Sequence, residues 1–148
     1  MGITRWRHRG RGVGEEGEAV ARDMVAMRDG VRLAADVYRQ LFDFDEHPVI
    51  LIRTPYGKDD VELLIPAVLF LAEDYVVVIQ DTRGAGDSEG ENDIFQSAGW
   101  GEKQDGYDTI EWIAAQSFCD GNVGMFGASA LGINAYLAAG AQPPALKC

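Results

Sequence analysis

Two short runs constrain this chain more than anything else in it. Pro48 to Thr54 (PVILIRT) and Tyr75 to Gln80 (YVVVIQ) are apolar stretches of strand length, rich in β-branched residues. A strand with one wet face alternates apolar and polar residues. A run without alternation fits a strand buried on both faces, as in parallel sheets covered by helices. Between the two runs, Val61, Leu64, Ile65, Val68, Leu69 and Ala72 recur at helical spacing and predict a helix with that face toward the core. Pro66 interrupts the pattern, either opening the helix or kinking it.

The rest of the chain extends this frame. Met24–Met27 and Val31–Tyr38 flank Arg28-Asp29-Gly30, a strong hairpin signal. Leu33, Ala35 and Val37 alternate with Arg32, Ala34 and Asp36, as in a half-buried strand. Asp81 to Gly101 is acidic and contains glycine, so a surface loop is expected. Tyr107, Ile110, Ile113 and Ala114 mark a second helix, Asn122–Phe126 a short strand, and Leu131–Ala139 a helix apolar almost all round. The expected class is α/β: a mostly parallel sheet with an antiparallel N-terminal hairpin at one edge and helices on both faces.

The chain has 148 residues, 47% hydrophobic and 25% charged, which suits one soluble globular domain. Arg5, Arg7, Arg9 and Arg11 stand apart from a chain whose net charge is −11. Residues 1–20 are therefore expected to be a leader without fixed structure. Nucleic acid is not an expected partner, because the acidic body would repel a polyanion. No apolar run approaches the ~20 residues of a membrane span, and no secretory signal follows the arginines, so a cytoplasmic location is expected. Cys119, Cys148 and two histidines show no ligand spacing, and neither metal nor cofactor is expected. Gly84 to Gly90 (GAGDSEG) misses the dinucleotide-binding spacing, and its acids would repel a pyrophosphate.

The chemistry is concentrated in Gly127-Ala128-Ser129-Ala130-Leu131-Gly132, between the last strand and the last helix. A serine held between glycines at a strand-to-helix turn has its hydroxyl lifted above the sheet edge, the arrangement of a nucleophile elbow. The competing reading is a helix N-cap.

Further blocks carry a family resemblance: Arg28-Asp29-Gly30-Val31-Arg32-Leu33, Arg53-Thr54-Pro55-Tyr56, Gln80-Asp81-Thr82-Arg83-Gly84, Ser88-Glu89-Gly90, and Cys119 through Gly127. Met27 to Lys147 resembles the N-terminal part of the catalytic domain in the X-Pro dipeptidyl-peptidase and cocaine esterase family of α/β-hydrolases. The resemblance implies an α/β-hydrolase fold, truncated. Residues 21–148 would be part of the catalytic domain, without its cap and C-terminal β-sandwich. By that match Ser129 is the nucleophile, with the Tyr56 phenol and the Ala130 N–H as oxyanion donors. The implied substrate is a small ester or amide, or a short X-Pro peptide. Ala130 and Phe118 stand where the family has tyrosine and tryptophan.

A serine nucleophile needs a histidine base oriented by a carboxylate. Nineteen residues follow Ser129, and none is His, Asp or Glu. His8 lies in the leader. His47 precedes a strand whose other end carries Tyr56, which puts it roughly 20 Å from the catalytic edge. The triad acid and histidine are therefore expected after residue 148. The alternative is an inactive remnant or binding module.

Overall fold

A computed structural model describes residues 18–148. The elements run β1 (Glu18–Ala26), β2 (Arg32–Gln40), β3 (His47–Thr54), α1 (Val61–Leu71), β4 (Val76–Asp81), α2 (Asp105–Ala114), β5 (Cys119–Met125) and α3 (Ala130–Gly140). The expected leader overlaps the first three residues of β1, and the rest of it lies outside the described residues. The hairpin strands are nine residues each, longer than the apolar runs suggested. Asp29-Gly30 makes the turn: Gly30 takes φ 86°, and its N–H and that of Val31 bond back to Met27 O and Asp29 Oδ1.

The five strands lie in the order β1-β2-β4-β3-β5. β3 runs parallel to both β4 and β5, while β2 pairs antiparallel with β4 and with β1. The sheet is thus a parallel three-strand body with an antiparallel hairpin on one flank. Beyond β5, residues 145–148 run along its other edge, with Leu146 bridging Val123 and Met125 N–H donating to Cys148 O at 2.8 Å.

Alternate residues of β3 and β4 feed two apolar clusters. Val49, Leu51 and Val78 meet Ile110 and Ile113 of α2 and Ala138 of α3 on one face. Ile50, Ile52, Val77 and Ile79 meet Ala67 and Leu71 of α1 on the other. Each fully buried Val, Leu or Ile contributes about 1.5–3 kcal/mol relative to exposure, so these strands hold the sheet.

Three expectations are corrected. β2 does not alternate: six of its consecutive residues are buried, with Ala34 3% and Asp36 1% exposed. It lies between two strands, and Asp36 faces a buried lysine, described below. Most of the expected core face of α1 is the outer one: Val61, Ile65, Val68, Leu69 and Ala72 are exposed, while Leu64 packs against the second cluster. Apolar residues surround this helix, so spacing alone could not select a face. Its start is fixed by Asp60, whose side chain accepts from Glu62 N–H at 3.0 Å. Pro66 sits inside the helix, where its missing N–H leaves the Glu62 carbonyl without the usual partner. Finally, the stretch after β4 is a packed polar scaffold, with Arg83, Ala85, Ser97 and Ala98 buried.

Candidate active site

β3 and β5 are parallel neighbours, with Leu51 opposite Met125, so their exits lie side by side at one edge of the sheet. Phe126 N–H still bonds Leu51 O at 3.1 Å; the next residues break away into the turn. A Cβ on Gly127 would collide with Leu131, and one on Gly132 would stand 3.0 Å from Gly127 O. The close approach of strand end and helix start therefore demands glycine at 127 and leaves only a tight fit for a side chain at 132.

Between them Ser129 adopts φ 55° and ψ −126°, a region non-glycine residues avoid at a cost of about 1–3 kcal/mol. It occupies the N-cap position of α3, yet its side chain makes no capping hydrogen bond, and the residue is exposed. That geometry does not fit the N-cap reading. Among the described residues, no backbone carbonyl accepts from the Ala130 N–H. It is a free donor at the positive end of the helix dipole.

Tyr56 stands two residues past β3, its N–H donating to Thr54 Oγ1 at 3.0 Å and its side chain exposed. Tyr56 and Ala130 line one cavity of about 190 Å³, whereas Ser129 is not among the residues lining it. Of the three residues singled out in the sequence, two therefore share a cavity and the third adjoins it through the chain.

A buried ionic clamp, not foreseen from the sequence, holds the Tyr56 loop. Asp81, at the end of β4, accepts from Lys58 N–H at 2.6 Å and from Asp87 N–H at 2.9 Å. Lys58 is 2% exposed, and its Nζ lies 2.7 Å from Asp87 and 4.0 Å from Asp36. Burial disfavours the ammonium, but the Asp87 hydrogen bond and the field of Asp36 outweigh it and hold the Lys58 pKa above the ordinary lysine value. Burial raises the carboxyls of Asp36 and Asp81. Gly86 packs so closely on the Asp81 carboxylate that no Cβ fits there.

Arg83 makes a second clamp, bonding Asp105 of α2 at 2.7 and 2.9 Å and Asp29 of the hairpin at 2.8 Å. The hydrogen bond to Asp105 leads in holding the Arg83 pKa above its ordinary value. Next to it, Arg53 is 1% exposed and donates from Nε to Gln80 Oε1 at 2.9 Å. Thr109 Oγ1 donates to the same oxygen at 2.9 Å. Local spacing carries no signal for any of these pairs, because their partners are far apart in sequence.

His47 opens β3, at the opposite end of the strand from Tyr56, and lies 2.8 Å from Asp43. It is not part of this site. His8 lies outside the described residues. Among the described residues no helix is long and apolar enough to cross a membrane.

The fold and motifs recur in known proteins. The family model for X-Pro dipeptidyl-peptidase (S15 family) matches residues 29–148. A cocaine esterase from Rhodococcus sp. (strain MB1 Bresler) is 48% identical over 120 residues, which are 78% of this chain and 20% of that protein. This chain therefore spans about a fifth of the length of that relative. An α-amino acid ester hydrolase superposes with a TM-score of 0.80 at 27% identity, covering 95% of this chain and 26% of the other. An aminopeptidase from a marine sediment Thaumarchaeota archaeon shares the fold, with a TM-score of 0.80 at 24% identity over 100% of this chain and 27% of its own. With its family model covering residues 29–148, the chain belongs to the X-Pro dipeptidyl-peptidase (S15) family.

Proposed function

We propose that this chain is the nucleophile-bearing part of a serine hydrolase that cleaves an ester or amide through an acyl-enzyme on Ser129. The observation that carries this reading is the Ser129 backbone: a strained positive φ between a glycine that tolerates no Cβ and one in tight contact, with a hydroxyl free of any capping duty. Ser129 Oγ attacks the acyl carbon as a base removes its proton. The Ala130 N–H and the Tyr56 phenol donate to the oxygen that gains charge, each worth roughly 10²–10³ in rate. Collapse expels the alcohol or amine, and water then releases the acyl group. The relatives' names support a small ester or a short peptide as substrate, since they include a cocaine esterase and an α-amino acid ester hydrolase.

The base must come from elsewhere. His47 stands at the wrong end of β3, so the histidine base is not among residues 18–148. The same observation favours one other reading, in which this chain alone is a non-catalytic product. In a protein that includes the base and its orienting carboxylate, Ser129→Ala should abolish both ester turnover and fluorophosphonate labelling. Labelling that survives the substitution overturns the assignment. A burst of product from an activated ester with residues 1–148 alone would exclude the non-catalytic reading.

A further inference from the structure

The cavity beside Tyr56 and Ala130 has a wall that the mechanism above does not use. The loop after β4 supplies it, with Ile94 and Phe95 among the lining residues. Both hold a positive φ, 43° and 72°, a region that non-glycine residues avoid and β-branched residues such as isoleucine avoid most. Phe95 packs against the second apolar cluster, whereas Ile94 is 73% exposed. A strained backbone therefore sets a bare aliphatic side chain beside the cavity.

The loop is fixed on both sides of that residue. A Cβ on Gly84 would collide with the backbone of Glu91 and Asn92, and one on Gly99 with the backbone of Leu137 in α3. Within the loop, Asn92 Oδ1 accepts from Ile94 N–H at 3.0 Å. The Asp93 carboxylate accepts from Ser97 Oγ at 3.1 Å and from Lys103 Nζ at 3.2 Å. A wall held this closely keeps its shape when a ligand arrives.

The polar groups around the cavity are spent on one another. Asp29, Asp93, Asp105 and Asp108 balance Arg28, Arg53, Arg83 and Lys103, mostly as direct ion pairs. Asn134 Nδ2 donates to Arg53 O at 3.4 Å. A charged ligand thus gains no net attraction here. What remains for a ligand to cover is apolar: Pro55, Tyr56, Ile94, Phe95 and Ala130. The cavity measures about 190 Å³, and an apolar cavity of about 150 Å³ holds a benzene ring.

We propose that this cavity takes a compact, uncharged apolar group of about six carbon atoms on the acyl part of the substrate, with Ile94 as its specificity-determining wall. The oxyanion donors Ala130 N–H and Tyr56 line the same cavity, so a group on the carbonyl carbon that they hold reaches it. The assignment to the acyl part rests on the hydrolase reading above; the binding of an apolar group does not.

In the active protein, 4-nitrophenyl cyclohexanecarboxylate and 4-nitrophenyl acetate share a leaving group, so the ratio of their kcat/KM values reads the acyl pocket. Ile94→Asn should lower that ratio about tenfold, the scale of losing a hydrophobic contact in a binding pocket. Asparagine tolerates a positive φ better than isoleucine, so the urea midpoint of this variant should not fall. Ile94→Val keeps the wall apolar and should hold the ratio within about threefold. An unchanged ratio in Ile94→Asn, or an equal fall in both variants, overturns the proposal. For cyclohexylmethyl acetate against methyl acetate, Ile94→Asn should move the ratio less than about twofold. A tenfold fall in this second pair alone would give the cavity to the leaving group and overturn the acyl assignment. With residues 1–148 alone, NMR titration should show cyclohexanecarboxamide binding about tenfold tighter than acetamide, with shifts at the Phe95 and Ala130 amides. Ile94→Asn should remove most of that difference, and equal binding of the two amides overturns the proposal. Failure of Ser129 labelling would instead overturn the hydrolase reading and leave the apolar subsite standing on the amide titration.

Discussion

The two ends of the parallel strands are built from different materials. At the N-terminal end and through the middle, Val49, Leu51, Val76 and Val78 are buried among other apolar side chains. At the C-terminal end the buried residues are Arg53, Thr54, Gln80 and Asp81, followed by Arg83 in the loop. The first region stabilises the fold by excluding water. The second costs stability at several points: a strained Ser129, a guanidinium short of an acceptor and two carboxyls raised by burial. Costs gathered at one edge, supported by an apolar body, are the pattern expected of a working site.

The largest effect expected from breaking this contrast lies in the body. Leu51→Ala, fully buried between the sheet and its helices, should lower unfolding free energy in urea by about 2–5 kcal/mol. The folded fraction should nevertheless label at Ser129 at an unchanged rate. A comparable loss of labelling would mean that the two regions are not separable.

At the turn, Gly127→Ala should cost about 1–3 kcal/mol, because the added methyl meets Leu131 and must push strand end and helix start apart. Here stability and labelling should fall together. Ser129→Gly should move them in opposite directions. Releasing the positive φ should raise stability by about 1 kcal/mol net of glycine's entropy cost, while labelling disappears. An unchanged or lowered stability would show that the serine backbone is not strained.

The smallest effect concerns the clamps. Hydrogen bonding to Arg83 and to Lys58 holds the carboxyls of Asp29 and Asp87, respectively, below the ordinary aspartate range. A carboxyl with a lowered folded pKa adds stability above its unfolded value, about 3.9, and that stability is lost as pH falls through the folded value. Asp87→Asn should therefore lower the urea midpoint near neutrality and flatten its fall below about pH 4, where the variant and the parent converge. The opposite pattern would place the clamp's charge elsewhere.

How much the sequence disclosed follows the same division. β3 and β4 were legible because burial on both faces leaves no polar alternation to obscure them. The hairpin turn at Asp29-Gly30 was legible because local geometry demands those residues. The full length of β1 was not, since EAVARD gives no continuous apolar signal. The buried face of α1 was misread because Val61, Ile65 and Leu69 are as apolar as the residues that pack. In the site, Ser129 and its glycines announce themselves within six residues. Arg53, Lys58 and Asp81 do not, because their meaning depends on partners as far away as the next strand and the loop beyond it. The polar stretch after β4 looked solvated for that reason: the partner of Arg83 is 22 residues on, and Ser88 bonds back to Ala34 and Asp81. Charge in a sequence signals a surface only when its partners are not folded onto it.

The most direct test is to locate the covalent adduct after fluorophosphonate treatment of a protein that contains these residues with their histidine and acid. Peptide mass mapping should place a single adduct on the segment spanning Gly127 to Gly132, at Ser129. An adduct on any other residue, or an unmodified Ser129 in a protein that turns over esters, would contradict the account.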